Sequence, residues 1–269
     1  MLLLTMSVTA QDYKVRKLPD DQLPKNVITS FHRNAVNSSE YPWRTVGRVN
    51  IGGTTHCTGS LIAENIVLTA AHCLYSKHLQ GMVPASMVHF LAGYAHGKHI
   101  AYSKVLAYET GTGFNGKSGA NTANIPYDWA LLILEDPIGQ EIGYLSLHAA
   151  FLNDTALGTK GRSARAVLPT SQIASAGYPR DRSHILSLEE NCRIVNAFNR
   201  GLVLVTSCIS LQGDSGGPIL QKSENDWVLI GLQTAAAQRG RNRSSIGVSA
   251  LAFLRTFSNL INAQEPTLP

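Results

Sequence analysis

The sequence predicts an all-β protein made of two antiparallel six-stranded β-barrels with a C-terminal helix. Short runs of alternating or β-branched residues recur from Arg44 to Ser249, with turn residues between them. They fall into two groups of about six strands on either side of a polar connector at residues 153–163, which favours two barrels over a sandwich. Only the last segment has apolar residues at helical spacing.

The expected elements follow these two groups. The N-terminal barrel covers about residues 41–150, with strands expected at 44–51, 59–63, 65–70, 88–93, 101–108 and 129–135. The C-terminal barrel covers about residues 164–250, with strands expected at 164–177, 191–196, 202–207, 217–221, 227–234 and 245–249. The helix is expected at 251–263, where one face carries Phe253, Leu254, Phe257, Leu260 and Ile261.

The segment before the barrels has a different composition. Residues 1–10 are apolar and end in Val8-Thr9-Ala10, which indicates the remnant of a signal peptide, with a disordered leader as the alternative. Residues 11–40 are polar and carry Pro19 and Pro24, as a leader or propeptide does.

Charge, hydropathy and cysteine content limit the class of function. The net charge is +5, but the Lys and Arg residues are scattered, so no nucleic-acid partner is expected. No apolar run approaches the roughly 20 residues of a membrane span, so no membrane partner is expected either. The four cysteines form two pairs around short loops without CxxC spacing, which predicts two local disulfides rather than a metal site. Each disulfide would contribute roughly 3 kcal/mol in an oxidising compartment, so we expect secretion.

Two motifs place a histidine and an acid at the ends of apolar strands. In Leu68–Cys73 (LTAAHC), His72 lies beside a cysteine, although a histidine taken alone is usually structural. In Tyr127–Leu134 (YDWALLIL), Asp128 lies at the mouth of an apolar strand. A carboxylate buried there needs hydrogen bonds, and the alternative is an acid that caps a turn.

A third motif, Gln212–Pro218 (QGDSGGP), is a glycine-dense turn before an apolar strand. Its glycines permit strained backbone, so the amides of Gly213 and Ser215 can converge on one point as an oxyanion hole. The same residues fit the G-x-S-x-G elbow of lipases and esterases. That fold needs its histidine after the serine, and here the last histidine is His184, so the esterase interpretation fails.

The three motifs LTAAHC, YDWALLIL and GDSGGP occur in the order and at about the separations of trypsin-like serine peptidases. The chain resembles that family from about Tyr41 to the C-terminal helix. Segments that resemble the bacterial branch with glutamyl endopeptidases are His32-Arg33…Val36, Tyr41–Trp43, Cys57–Ile62 and Ala176–Pro179. The resemblance implies chymotrypsin-like barrels and a secreted serine endopeptidase with protein or peptide substrates. It also implies a monomer that needs no cofactor or metal.

The resemblance further implies a role for each motif residue. Ser215 attacks the peptide carbonyl, His72 transfers the proton, Asp128 orients the imidazole, and the Gly213 and Ser215 amides form the oxyanion hole. It implies two disulfides, Cys57–Cys73 and Cys192–Cys208. A catalytically silent binding protein on the same fold is the alternative, but such proteins normally lack a triad residue, and none is missing here.

By the same resemblance, the chain is expected to be made as a zymogen. A freed N-terminal ammonium then pairs with the acid before the nucleophile, which is Asp214 here. Val27 is the candidate mature N-terminus, which leaves a propeptide at 11–26 and a peptidase domain at 27–269.

The predicted specificity pocket departs from the best-known relatives. Trypsins carry an acid where this chain has Ile209, and glutamyl endopeptidases carry a His where it has Gln233. The other expected lining residues are Ser210, Thr234, Ala235 and Ala236. A neutral or small substrate side chain is therefore expected before the scissile bond.

Overall fold

The computed structural model describes residues 33–148, 172–223, 226–239 and 242–264. The predicted signal-peptide remnant, the propeptide and the connector at 153–163 lie outside these residues and stay predictions. Val27 lies outside them as well.

The described residues form sixteen strands and two α-helices. The strands are β1 (Asn34–Ala35), β2 (Val46–Ile51), β3 (Thr55–Leu61), β4 (Ile66–Thr69), β5 (Tyr75–Ser76), β6 (Gly81–Met82), β7 (Val88–Ala92), β8 (Ala101–Thr110), β9 (Ala130–Leu134), β10 (Ile173–Gly177), β11 (Ser187–Cys192), β12 (Ile194–Phe198), β13 (Val203–Thr206), β14 (Pro218–Lys222), β15 (Trp227–Arg239) and β16 (Asn242–Ser249). The helices are α1 (Gly139–Ile142) and α2 (Leu254–Gln264).

The N-terminal half is a closed six-stranded antiparallel barrel in the order β2-β3-β4-β9-β8-β7. Strand β7 shows the alternation expected of a barrel wall: Val88, Phe90 and Ala92 are buried, while His89 and Leu91 between them are partly exposed. The six strands expected from the sequence all appear, because each carries enough apolar residues to fill one side of the wall. Strands β5 and β6 form a separate small hairpin.

The described residues of the C-terminal half form, together with β1, an antiparallel sheet of eight strands in the order β1-β11-β10-β14-β15-β16-β13-β12. Six strands were expected here. Strand β11 was missed because its sequence, SLEENC, has three consecutive polar residues and no alternation. Strand β1 was missed because it has only two residues and depends on pairing with β11, where Asn34 faces Leu188.

The predicted helix is present, and it begins three residues later than expected. A short 3-10 helix occupies Ala250–Ala252, and the Ser249 hydroxyl accepts a hydrogen bond from the Leu251 amide at 3.3 Å. Phe253 comes next; it is fully buried and packs against Trp129 with ring centroids 6.0 Å apart. Helix α2 begins at the following residue. No helix among the described residues is long and apolar enough to cross a membrane.

Candidate active site

Asp128 and His72 meet at the end of the barrel. Asp128 lies between a 3-10 turn (Ile125–Tyr127) and β9, and His72 lies in a 3-10 turn (Ala71–Leu74) that follows β4. Since β4 and β9 are paired, their flanking turns are neighbours. The Asp128 carboxylate accepts the backbone N–H of His72 with one oxygen and contacts the ring Nδ1 with the other, both at 2.8 Å.

These two contacts fix both the position and the tautomer of the imidazole. A carboxylate beside Nδ1 favours the tautomer in which Nδ1 carries the proton and donates it. Asp128 is buried, whereas the His72 side chain is 38% exposed. The other ring nitrogen, Nε2, is therefore left as a proton acceptor on the accessible side.

The nucleophile turn depends on two glycines with left-handed backbone. Gly213 has a φ of +102°, and a Cβ there would lie 2.4 Å from the Tyr178 carbonyl oxygen. Gly216 has a φ of +82°, and a Cβ there would lie 2.2 Å from the Thr58 carbonyl oxygen. Both positions require glycine because of the backbone angle and because a neighbouring main chain occupies the space.

The amides of this turn divide into two sets. Asp214 N donates to Leu211 O at 3.0 Å, Gly216 N to Gln233 O at 2.7 Å, and Gly217 N to Asp214 O at 2.8 Å. Among the described residues, the amides of Gly213 and Ser215 donate to no protein acceptor. The two amides that the sequence assigned to the oxyanion hole thus have no protein acceptor within the part of the chain that the structure describes.

His72 and the Ser215 main chain both lie beside the Cys57–Cys73 disulfide. The Cys73 Sγ atom lies 3.9 Å from His72 Nε2 and 4.0 Å from the Ser215 carbonyl oxygen. The amide of Thr58, next to Cys57 in β3, also donates to that carbonyl at 2.9 Å. The disulfide therefore contacts His72 and the Ser215 carbonyl, and Thr58 contacts the same carbonyl.

Thr58 has a role that the sequence analysis did not give it. Its hydroxyl donates to the Gly213 carbonyl at 2.8 Å and accepts the Tyr178 amide at 3.0 Å. Thr58 is fully buried in β3 of the N-terminal barrel, while its partners belong to the C-terminal half. It therefore ties the nucleophile turn to the barrel that carries His72. The segment Cys57–Ile62 (CTGSLI) contains Thr58, but nothing in the sequence identifies the distant partners of this residue.

Asp214, within the nucleophile turn, has a buried side chain that pairs with Arg33. Arg33 Nη1 donates to Asp214 Oδ1 at 2.8 Å, and both side chains are almost completely buried. Arg33 Nη2 donates to the Ile209 carbonyl at 2.6 Å, and Nε lies 3.6 Å from Glu189 Oε2. The other Asp214 oxygen accepts the Leu211 amide at 2.8 Å. The expected pairing of Asp214 with a Val27 ammonium stays a prediction, since Val27 lies outside the described residues.

Burial dominates the protonation of the two acids around Arg33. It raises the pKa of the Asp214 carboxyl above its ordinary value, although the adjacent guanidinium opposes that shift. Burial also raises the pKa of Glu189, against the Ile209 amide and Arg33, which lower it. The guanidinium is thus the nearby positive charge that opposes the effect of burial on the pKa of both acids.

The predicted pocket residues lie on two segments beside the turn. Ser210 and Thr234 are buried, and Ile209 is partly exposed. The Thr234 hydroxyl donates to the Ile246 carbonyl at 3.3 Å. Along β15, Ala235 is partly exposed and Ala236 is exposed.

Gln233 is fully buried, and its side-chain amide donates to the Ser175 hydroxyl. Its Oε1 atom has no hydrogen-bond partner among the described residues. The sequence gave no sign of the Ser175 contact, because that residue lies on a different strand, β10.

Both predicted disulfides are confirmed. Cys57 is bonded to Cys73 and Cys192 to Cys208, with Cα–Cα distances of 6.2 Å and 5.2 Å. Each bond spans 16 positions of the chain, so the two close loops of equal length. The first lies at the site, and the second joins β11 to the residue before Ile209.

The sequence profile of the trypsin family, described as "Trypsin", matches residues 32–255. This chain belongs to the trypsin family. That finding confirms the resemblance inferred from the three motifs. His72, Asp128 and Ser215 all lie within the matched residues.

Two curated proteins show how far the likeness extends. A glutamyl endopeptidase of Bacillus licheniformis is 25% identical over 202 residues, which cover 75% of this chain and 56% of that protein. The serine protease SP24D of Anopheles gambiae is 28% identical over 193 residues, which cover 64% of this chain and 61% of that protein. The matched part therefore spans little more than half of each relative's length.

A solved structure of a Glu endopeptidase in complex with MPD has the same fold. It has a TM-score of 0.67 and 22% identity, and the match covers 86% of this chain and 97% of that one. The predicted fold class, chymotrypsin-like and mostly β with a C-terminal helix, is confirmed by this match.

Proposed function

We propose that this chain is a secreted serine endopeptidase that hydrolyses peptide bonds through an acyl-enzyme intermediate. The observation that carries the proposal is the double contact of Asp128 with His72 beside the glycine turn of Ser215. The two disulfides support secretion, because such bonds persist in oxidising compartments.

In the first half of the reaction, Ser215 Oγ attacks the carbonyl carbon of the substrate while His72 Nε2 takes the hydroxyl proton. The carbonyl oxygen becomes negative and accepts hydrogen bonds from the Gly213 and Ser215 amides. Asp128 stabilises the imidazolium that forms. His72 then donates its proton to the leaving amine, the C–N bond breaks, and an ester to Ser215 remains.

In the second half, a water molecule takes the place of the amine. His72 removes a proton from the water as its oxygen attacks the ester carbonyl, and the same amides stabilise the second oxyanion. Collapse of this intermediate returns the proton to Ser215 Oγ and releases the carboxylic acid product. Every charged state that appears has a partner among the residues described above.

For the substrate, we propose a neutral or small side chain before the scissile bond. The name of the Bacillus relative indicates that this relative prefers an acidic substrate residue at that position. In this chain Ile209 and Gln233 are both uncharged, and Gln233 stands where the resemblance gives those enzymes a His. A peptide panel that varies only this position tests the proposal, and clearly best cleavage after Lys, Arg or Glu would overturn it.

A fluorophosphonate probe tests the catalytic proposal directly. The purified chain is treated with the probe, and the labelled residue is identified by mass spectrometry, with Ser215→Ala as the control. We expect one label, on Ser215, that the control abolishes. A folded chain that stays unlabelled would instead favour a catalytically silent binding protein on this fold.

A further inference from the structure

Arg33 bonds to both ends of the segment that forms the nucleophile turn. At the start of the segment it donates to the Ile209 carbonyl at 2.6 Å, and near its end it pairs with Asp214 at 2.8 Å. Glu189 also contacts the start of the segment, where its carboxylate accepts a hydrogen bond from the Ile209 amide at 2.8 Å. Two side chains from outside the segment, Arg33 and Glu189, thus fix the path of residues 209–214.

That path determines the direction of the oxyanion-hole amides. Gly213 and Ser215 are the residues on either side of Asp214, so the orientation of their N–H groups follows from where the Asp214 carboxylate is held. The carboxylate is fully buried, and a buried acid keeps its charge and position only with a close partner. Arg33 is the cation that lies against it.

Arg33 itself is anchored by the fold. The strand that follows it, β1, pairs with β11, and Val36 N donates to Leu186 O at 3.1 Å. Arg182 Nη1 donates to the Arg33 carbonyl at 3.3 Å. The guanidinium therefore reaches Asp214 from within an intact, paired segment of the chain.

We propose that Arg33 is the positioning residue that assembles the oxyanion hole, in the place that the resemblance gives to a freed N-terminal ammonium. The site then forms whether or not the chain is cut before Val27. This inference rests on the proposed peptidase function. It competes with the expectation that the Val27 ammonium pairs with Asp214.

The two cations differ in how they respond to pH. An α-ammonium has an ordinary pKa of about 8, whereas a guanidinium stays charged up to about pH 12. The charged groups that face Asp214 and Arg33 are Glu189, Asp181 and Arg182, and the two acids lose no charge at alkaline pH. A site held by Arg33 therefore keeps its form at alkaline pH.

The test measures how fast a fluorophosphonate inactivates Ser215 between pH 7 and 10 in chains that begin at Val27. The variants are Arg33→Lys, Arg33→Met, and Arg33→Met combined with Asp214→Asn, which removes both buried charges. Arg193→Met is the matched control because Arg193 is exposed. Thermal unfolding and tryptophan fluorescence report whether each variant folds.

We expect the unsubstituted chain and Arg193→Met to show no fall in inactivation rate at alkaline pH, up to pH 10. Arg33→Lys should show a reversible fall at alkaline pH, because its ammonium has an ordinary pKa of about 10.4 and burial favours the neutral form. Arg33→Met should lose roughly 100-fold or more, as after the loss of one oxyanion donor. If Arg33→Met does not fold, the inactivation rates of Arg33→Lys and of the double variant still test the role of Arg33.

A second measurement addresses the N-terminus. A Gly-Ser-Gly extension before Val27 moves the ammonium by roughly 10 Å when extended. The proposal expects inactivation rates within about twofold of the unextended chain. It is overturned if the extension abolishes labelling, or if folded Arg33→Met or the folded double variant labels as fast as the unsubstituted chain. Absence of labelling in both the unsubstituted chain and Arg193→Met would instead count against the peptidase function itself.

Discussion

His72 and Asp128 lie on the closed N-terminal barrel, whereas Ser215 lies on a turn of the eight-stranded C-terminal sheet. The first pair is positioned by paired strands, β4 and β9, and by hydrogen bonds between the two residues themselves. The turn is positioned by side chains distant in sequence, chiefly Arg33 and Thr58. His72 and Asp128 are thus fixed within one barrel, whereas the turn of Ser215 is fixed by side chains 181 and 155 positions away in the sequence, so substitutions in the two regions should fail in different ways.

The largest effect is expected from Asp128→Asn. It retains the shape of the side chain but favours the wrong imidazole tautomer, so kcat should fall about 10⁴-fold. Because asparagine keeps an oxygen that can accept the His72 backbone N–H, the unfolding temperature should change little. Steady-state kinetics together with thermal unfolding check this, and a loss of activity that is matched by unfolding would show that the substitution acts on the fold rather than on the imidazole tautomer.

Gly213→Ala tests the nucleophile turn. The added Cβ meets the Tyr178 carbonyl at a left-handed backbone position, so the oxyanion amide must move and kcat should fall roughly 10²- to 10³-fold. Gly97→Ala is the control, since Gly97 has a φ of +82° with nothing within 4 Å of the added Cβ. Equal losses in both variants would contradict a specific effect on the Gly213 amide.

The two disulfides offer a matched comparison because they close loops of equal length. Replacing both cysteines of either pair with serine should lower the free energy of unfolding by roughly 3 kcal/mol. Only loss of Cys57–Cys73 should also slow probe inactivation of the folded protein, by about tenfold, because Cys73 contacts His72 and Ser215. Equal inactivation rates in the two variants would contradict this difference.

Thr58→Val removes the hydroxyl that joins the barrel to the nucleophile turn. The Gly213 carbonyl keeps no side-chain donor and the Tyr178 amide loses its acceptor, which should cost about 1–3 kcal/mol of stability. Thr54→Val, at an exposed position, should cost far less. Denaturant unfolding of the two variants measures the difference.

The smallest effect concerns pH and His56, which lies in β3 with Nε2 3.0 Å from the Tyr178 carbonyl. Burial lowers the pKa of His56 below its ordinary 6.5, so the unfolded chain binds more protons in that range. This residue's contribution to stability is therefore present above pH 6.5 and is lost as the pH falls through the lowered pKa.

His56→Gln tests that contribution, since a glutamine amide can still donate to the Tyr178 carbonyl but does not titrate. The loss of stability between pH 7 and pH 5 should be smaller in this variant than in the unsubstituted chain. Chemical unfolding at several pH values measures the difference. An unchanged slope would mean that other groups cause the acid dependence.

The sequence by itself determined the all-β class, the N-terminal barrel, the C-terminal helix and the trypsin-family resemblance. It could do so because local periodicity indicates strands and helices, and because the motifs around His72, Asp128 and Ser215 are short and continuous. The cysteine spacing likewise predicted two local disulfides. These features depend on residues close to one another in the chain.

Only the tertiary structure decided the partners of the nucleophile turn. Arg33 was part of a recognised segment, yet its pairing with Asp214 spans 181 positions, and the Thr58 bond to Gly213 spans 155. Strand β11 was missed for the same reason, since its polar sequence is held by pairing with β10 and β1. Local propensity carries no information about such partners, because they meet only when both halves of the chain have folded.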